Sequence, residues 1–126
     1  MERDVVLKLD FDNLTFEQVE DIIMNRIFVF YQFEIRPQKA IVMKTPHGYH
    51  IYIKAKTNRR LEDEDIVFIQ LALGDDFKRA CFNWERVRSN NGHKYGWNVL
   101  FTEHETYRAE LTHRLTNKLR AMGVQK

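Results

Sequence analysis

The sequence predicts a mixed α/β fold in the order strand, helix, strand, strand, helix, strand, extended by one further hairpin strand and a C-terminal helix. Three observations predict it. Residues 4–12 and 49–55 alternate apolar and polar side chains with the period of two that a half-buried strand requires. Between them, Val19, Ile22, Ile23, Ile27 and Phe30 recur at helical spacing. Near the end of the chain, Leu111, Leu115, Leu119 and Met122 form a single apolar stripe.

Each element follows from local chemistry. In residues 4–12, Val5, Leu7, Leu9 and Phe11 share the face that seeks a core, while Lys8, Asp10 and Asp12 share the other. Thr15-Phe16-Glu17-Gln18 fits a capping box, with a hydroxyl at the cap and glutamine three residues on, and the helix it opens runs to about Tyr31. Pro37 lies in the connection, and residues 39–44 form the second strand. Pro46 and Gly48 make a tight turn, so the second and third strands pair as a hairpin. In the third strand Tyr49, Ile51 and Ile53 take the core face, and His50, Tyr52 and Lys54 the open one. Residues 61–73 read as a helix with acids in its first turn and Gly74 as its left-handed stop. Residues 77–87 mix helical and strand signals, and a strand over 80–88 is preferred. Asn90-Asn91-Gly92 signals a turn, residues 97–102 alternate as another strand, and Thr106 caps a last helix ending at Gly123. The core should set Leu7, Leu9, Phe11, Ile51 and Ile53 beneath Val19, Ile23, Ile27, Phe68 and Leu71.

At 126 residues and 15.2 kDa the chain is expected to form one domain, with a core over about 4–102 and the helix 106–122 appended. Apolar and charged fractions of 44% and 30% are those of a globular protein. No apolar stretch approaches the roughly 20 residues that span a bilayer, and the first residues lack a leader pattern, so neither a membrane partner nor secretion is expected. The lone Cys81 excludes an internal disulfide, suits a reducing cytoplasm and reads as a small buried hydrophobe. One thiol among five scattered histidines gives no zinc-ligand spacing. A net charge of +2 does not announce nucleic-acid binding, yet Arg79, Arg86, Arg88, Lys94 and residues 108–126 concentrate the surplus in the last third.

The element order is the split βαβ arrangement of ferredoxin-like and RNA-recognition-like domains. In that topology the first and third strands are central neighbours, and both helices cover one face. Asp10 and Asp12 then meet His50 and Tyr52 on the helix-free face, with Lys8 beside them. Two carboxylates at i and i+2 of a strand can share divalent cations; Mg²⁺ and Mn²⁺ prefer hard oxygen ligands and keep positions open for water and phosphates. Two-metal phosphoryl transfer uses such acids to neutralise charge on the attacking and leaving oxygens. A histidine on the adjacent strand, with lysine or arginine nearby, suits a triphosphate.

These residues resemble a known family. Leu7-Lys8-Leu9-Asp10-Phe11-Asp12 is similar to the first motif of the archaeo-eukaryotic primase superfamily, a hydrophobic strand ending in Asp-x-Asp. Gly48-Tyr49-His50-Ile51-Tyr52-Ile53 is similar to its second, a small residue and turn followed by histidine at the start of a strand. Leu73-Gly74-Asp75-Asp76-Phe77-Lys78-Arg79, followed by Asn83-Trp84-Glu85-Arg86, resembles the segment leading to the third motif, where the family has an aspartate ligand. The resemblance covers roughly residues 4–101 and implies a nucleotidyl-transfer site on an RNA-recognition-like sheet. If the site is active, Asp10, Asp12 and His50 are catalytic and Asp10 and Asp12 bind Mg²⁺ or Mn²⁺. The third acid is replaced by Asn83, an uncharged ligand, and Glu85, two residues on, is the candidate substitute. The family's additional N-terminal module is also missing from this sequence. The chain is then either a minimal nucleotidyl-transfer module or a relative that keeps binding and has lost catalysis, and the second is preferred. The implied partners are a nucleoside triphosphate and single-stranded DNA or RNA, in a replication system of a virus or plasmid. Contacts would come from Lys8, Lys44, His50, Tyr52, Arg79, Arg86, Arg88 and Lys94.

Three alternatives use the same residues. A metal-independent RNA-recognition-like binder would stack bases on aromatics of the central strands, but only Tyr52 is well placed, and two carboxylates there repel phosphate. The stretch from Arg86 to Trp97 interleaves cations with Trp84, Tyr95 and Trp97, which suits single strands. A non-enzymatic adaptor could reuse the fold for protein contacts. A Rep-type endonuclease ranks below these, because His47 and His50, three apart, fall on opposite strand faces.

Overall fold

The computed structural model describes residues 1–89 and 96–124. In chain order the elements are β1 (Arg3–Asp12), α1 (Phe16–Met24), α2 (Phe28–Gln32), β2 (Ile35–Lys44), β3 (Gly48–Thr57), α3 (Asp63–Ala72), α4 (Phe77–Arg88), β4 (Thr106–Tyr107) and α5 (Ala109–Val124). The strands form one antiparallel sheet in the order β1-β3-β2-β4. The mixed α/β class and the neighbouring first and third strands therefore stand as expected. On one sheet face Leu7, Leu9, Ile51, Ile53, Ala40 and Val42 are wholly buried. They pack in one cluster with Val19 and Ile23 of α1, Phe30 of α2, Ile69 and Leu73 from α3 and its cap, and Leu115 and Leu119 of α5.

Several local signals produce the structures they encode. Thr15 accepts a bond from the Gln18 amide at 3.2 Å, and its own amide donates to Gln18 Oε1 at 2.9 Å, completing the capping box. Gly74 follows α3 with φ of +108°, where a Cβ would also meet Ile22 Cγ2 at 2.6 Å. β2 begins earlier than expected and passes through Pro37; a register irregularity between Pro37 and Lys39 absorbs the missing N–H. The helix expected to reach Tyr31 breaks into α1 and α2, which buries Val29 and Phe30 together and leaves Phe28 outside.

Four expectations are corrected. Residues 80–88 belong to helix α4, not to a strand. The buried positions of α4 are Arg79, Ala80, Asn83 and Val87, a helical spacing hidden by two polar members. In α3 the buried positions are Val67, Ile69 and Gln70, so Phe68 (58% exposed) and half-buried Leu71 do not cap the core. Gln70 sets this phase by turning its amide to the edge of β1. Residues 97–102 form no strand, and Thr106 lies in β4, so α5 starts at Ala109. Cys81, read as buried, is exposed on α4.

The missing strand beside β1 has a counterpart. Lys8 N–H donates to Gln70 Oε1 at 2.9 Å, and Asp10 N–H donates to Asp75 Oδ1 at 2.8 Å. The Arg79 guanidinium donates to the Lys8 carbonyl at 3.0 Å, and Asp76 N–H donates to the Asp10 carbonyl at 3.1 Å. Side chains and a helix start thus satisfy the groups that a paired strand would otherwise take. The outer edge of β2 is closed similarly: Thr116 Oγ1 accepts from Ala40 N–H at 3.0 Å and donates to its carbonyl at 3.1 Å. Thr112 Oγ1 accepts from Val42 N–H at 2.9 Å, and Arg108 N–H donates to the Val42 carbonyl at 3.0 Å. Unpaired edges invite intermolecular pairing, and each buried group left unsatisfied costs about 1–3 kcal/mol. The basic face of α5 has a structural task as well. Arg114 holds buried Glu20 of α1 through two bonds of 2.7 and 3.0 Å, and Lys118 adds a contact at 3.0 Å.

The core and the corrected helix phase are tested together by denaturation. Ile51→Ala should cost about 2–5 kcal/mol, as expected for a fully buried aliphatic. Phe68→Ala should cost no more than about 1 kcal/mol, since its ring is largely exposed and borders Phe33 and an open apolar cavity. Equal losses would contradict the observed phase of α3.

Candidate functional site

The site grows from the register of β1 and β3. Asp10 pairs with His50 and Asp12 with Gly48, so both acids and the imidazole share the face turned away from the core. Gly48 is required there because a Cβ would lie 1.8 Å from the Phe11 carbonyl oxygen. The turn before it is closed by Thr45 N–H to the Gly48 carbonyl at 2.9 Å and by Gly48 N–H to Thr45 Oγ1 at 3.0 Å. Asn13, in the left-handed region at φ 60°, donates its N–H to the His47 carbonyl at 2.6 Å and ties the end of β1 to this turn.

His50 sits between two acids. Its Nδ1 lies 2.7 Å from Glu105 Oε2, and its Nε2 lies 3.5 Å from Asp10 Oδ1. The Tyr52 hydroxyl donates to the same Glu105 oxygen. Burial alone would lower the imidazole's proton affinity, but hydrogen bonds and charges from Asp10 and Glu105 outweigh it and leave the pKa above 6.5. Tyr52 is raised by burial and by Glu105. Asp10 Oδ1 is buried and, among the described residues, has no hydrogen-bond partner, with His50 Nε2 standing off at 3.5 Å. The Asp12 carboxyl is pushed up by partial burial, by the charges of Asp10 and Asp76, and by a hydrogen bond with Asp10, against a smaller opposing effect of His47. Asp10, Asp12 and Asp76 thus bring like charges together at this end of β1.

The helix-free face is covered rather than open. Residues 96–105 cross it as a strap from β1 towards β2. The Lys8 ammonium donates to the Asn98 carbonyl at 3.0 Å, and Arg79 donates to the Val99 carbonyl at 3.1 Å and to Asn98 Oδ1 at 2.7 Å. Gln70 and Asn98 exchange amide bonds of 2.8 and 3.1 Å. Two of the clefts beside the strap reach Asp10 and His50. One, of about 240 Å³, is lined by Asp10, His50, Asp76, Lys78, Phe82 and Arg86 among others, and by Phe101 of the strap. The other, of about 310 Å³, is lined by Asp10, Asp12, His47, His50, Glu103 and His104, again with Phe101.

Not every sequence-predicted residue converges. Asp10, Asp12, His50 and Arg86 come to the clefts, while Tyr52 lies under the strap through Glu105. Arg79 lines the first cleft but is committed to Asp75, at 2.6 Å, and to the β1 edge and strap. Burial pushes the Asp75 carboxyl up to about 6, against the pull of Arg79 and of the Asp10 amide. Lys44 faces the core side, with its ammonium over the Tyr49 ring and on the turn carbonyls. Arg88 lies over Trp84. Asn83 is wholly buried in α4, with Oδ1 accepting from Arg86 at 3.1 Å. Glu85 lines a separate apolar cavity between α3 and α4. Neither follows Asp10 on a strand, because their segment is helical. Lys94 and Tyr95 lie outside the described residues. Two acids were not singled out from the sequence. Asp76 was hidden by reading a strand after it, although an Asp ahead of a helix is a cap signal, and it does accept from Arg79 N–H at 3.0 Å. Glu105 carries no local signal at all. Among the described residues no group of three or more His, Cys, Asp or Glu side chains is poised to enclose a metal, and no helix is long and apolar enough to cross a membrane.

The His50 clamp has a pH signature. A histidine whose pKa is raised on folding contributes stability that is complete below its unfolded value of 6.5 and is lost as pH rises through the folded value. Thermal melts should therefore show stability falling as pH rises above about 6.5, and His50→Gln should flatten that fall. An unchanged slope in the variant would contradict the clamp.

No family model matches the chain, and no solved structure matches it. The chain is 26% identical over 118 residues to uncharacterized protein 30 of Sulfolobus islandicus filamentous virus (isolate Iceland/Hveragerdi), covering 93% of this chain and 42% of that protein. The chain thus spans less than half the length of the viral protein that it resembles.

Proposed function

We propose that this chain is a nucleotide- or nucleic-acid-binding module of a replication system, related to primases, that binds a nucleoside triphosphate through Mg²⁺ or Mn²⁺ and makes little or no polymer. The observation that carries this is the placement of Asp10 and Asp12 on one sheet face beside His50, whose Nε2 lies 3.5 Å from Asp10 Oδ1. A hard divalent cation fits that donor set, since Asp10 offers a buried oxygen without a hydrogen-bond partner among the described residues. Asp10 and Asp12 would hold the ion, with Asp76 the next carboxylate whose charge reaches Asp12. The ion would neutralise the acids and admit phosphate oxygens that they otherwise repel. Lys78 and Arg86, which line the first cleft, would supply donors for those phosphates, while His50 steadies Asp10 from between its two acids. With two carboxylates and no third acid from Asn83 or Glu85, binding without turnover is the better-supported outcome. Similarity to a filamentous-virus protein supports a virus-encoded origin, and hence work inside an infected cell.

Calorimetry tests the proposal. Mn²⁺ alone should bind weakly, and a nucleoside triphosphate should tighten it at least about tenfold, or about 1.4 kcal/mol. Asp10→Asn/Asp12→Asn should abolish that gain, and Asp76→Asn should reduce it. A double variant that binds metal and nucleotide as well as wild type would overturn the proposal. Single-strand binding that persists in chelator and weakens with salt would favour the metal-independent alternative instead. Robust primer synthesis by wild type would show that catalysis survives.

A further inference from the structure

We propose that Phe82 and Phe101 form a base-stacking subsite, making the ligand of the first cleft the base of a nucleoside phosphate. This rests on the nucleotide reading above and adds to it the part of the ligand that gives selectivity over bare phosphate. Phe101 is 86% exposed and Phe82 55% exposed, yet both line the cleft that contains Asp10 and His50. They come from separate elements, α4 and the strap. Single exposed aromatics are ordinary, but two that border one cleft beside a carboxylate pair and two cations are a specific arrangement.

The division of chemistry within the cleft supports a base there. Asp10 and His50 lie on its sheet side, with Asp12 beside them in the adjoining second cleft, and suit a cation with phosphates. Arg79 lines the cleft but is spent on Asp75, the Lys8 carbonyl and the strap, which leaves Lys78 and Arg86 as its other cations. Apart from Asp76, which caps α4, the remaining wall is apolar: Phe82, Phe101, Val99 and Leu100. The cleft, at about 240 Å³, falls below the roughly 300–1,000 Å³ of sites that enclose a whole drug-sized ligand. It takes one part of a nucleotide. Phe101 also borders the second cleft, which shares Asp10 and His50, so a base on the α4 side would leave its phosphates beside the Asp10–Asp12 pair.

The test compares two probes, ATP and inorganic tripolyphosphate, each with Mn²⁺, by calorimetry. Wild type should bind ATP at least about tenfold more tightly than tripolyphosphate. Phe82→Ala and Phe101→Ala should each weaken ATP by about five- to 150-fold, the range of single aromatic–base stacks, and leave tripolyphosphate unchanged. Phe101→Trp should restore ATP binding. Both side chains are exposed, so unchanged melting temperatures provide the folding control. Equal losses for the two probes, or ATP binding that is indifferent to both alanine variants, would overturn the subsite and leave the metal–phosphate site standing. Wild type that binds neither probe would overturn both proposals.

Discussion

The closure of the free edge of β1 governs both the fold and the site. In a sheet with a fourth strand beside β1, backbone groups would meet backbone groups. Here Gln70, Asp75, Asp76 and Arg79 meet them instead, through four bonds of 2.8 to 3.1 Å. Each such bond has a net worth of only about 0.5–1.5 kcal/mol, but leaving its groups buried and unmade costs more. The same bonds fix the amide and the carbonyl of Asp10. Its side chain must then project from the sheet face towards His50, its register partner.

Arg79 carries that constraint outward. One guanidinium joins the β1 carbonyl, the buried Asp75 carboxylate and the strap over the sheet. Its planar fork suits this role, because several donors act in fixed directions at once. The strap then delivers Glu105 to His50 and Tyr52 before pairing as β4 with β2. On the opposite edge, Thr112 and Thr116 of α5 achieve closure with neutral hydroxyls. One edge is sealed by charge and the other by short polar side chains, and only the charged edge adjoins the candidate site.

The parts legible in the sequence are those with a local period. Alternation gave β1 and β3 the correct faces, Pro46 and Gly48 marked the hairpin, and Thr15, Gly74 and the leucine stripe of α5 kept their roles. Strand parity combined with topology also placed Asp10 opposite His50. The misread phase of α3 and the strand expected at α4 share one cause, which is polar residues at buried positions. Gln70 turned the phase of α3, and Arg79 and Asn83 disguised α4 as a strand. Once that segment is helical, Glu85 faces a different cavity and Asp76 is the acid near the pair. Glu105 reaches His50 across 55 residues, and no short window can register such a contact.

A carboxylate pair held beside a clamped histidine is a specific claim about where positive charge is wanted. Anomalous diffraction from crystals grown with Mn²⁺ and a nucleoside triphosphate tests it most directly. The account predicts a manganese peak in first-sphere contact with Asp10 and Asp12, bridging to the phosphates and with the base on the Phe82–Phe101 side. Ordered nucleotide with no metal at those carboxylates, or bound on the α3–α4 cavity instead, would contradict it.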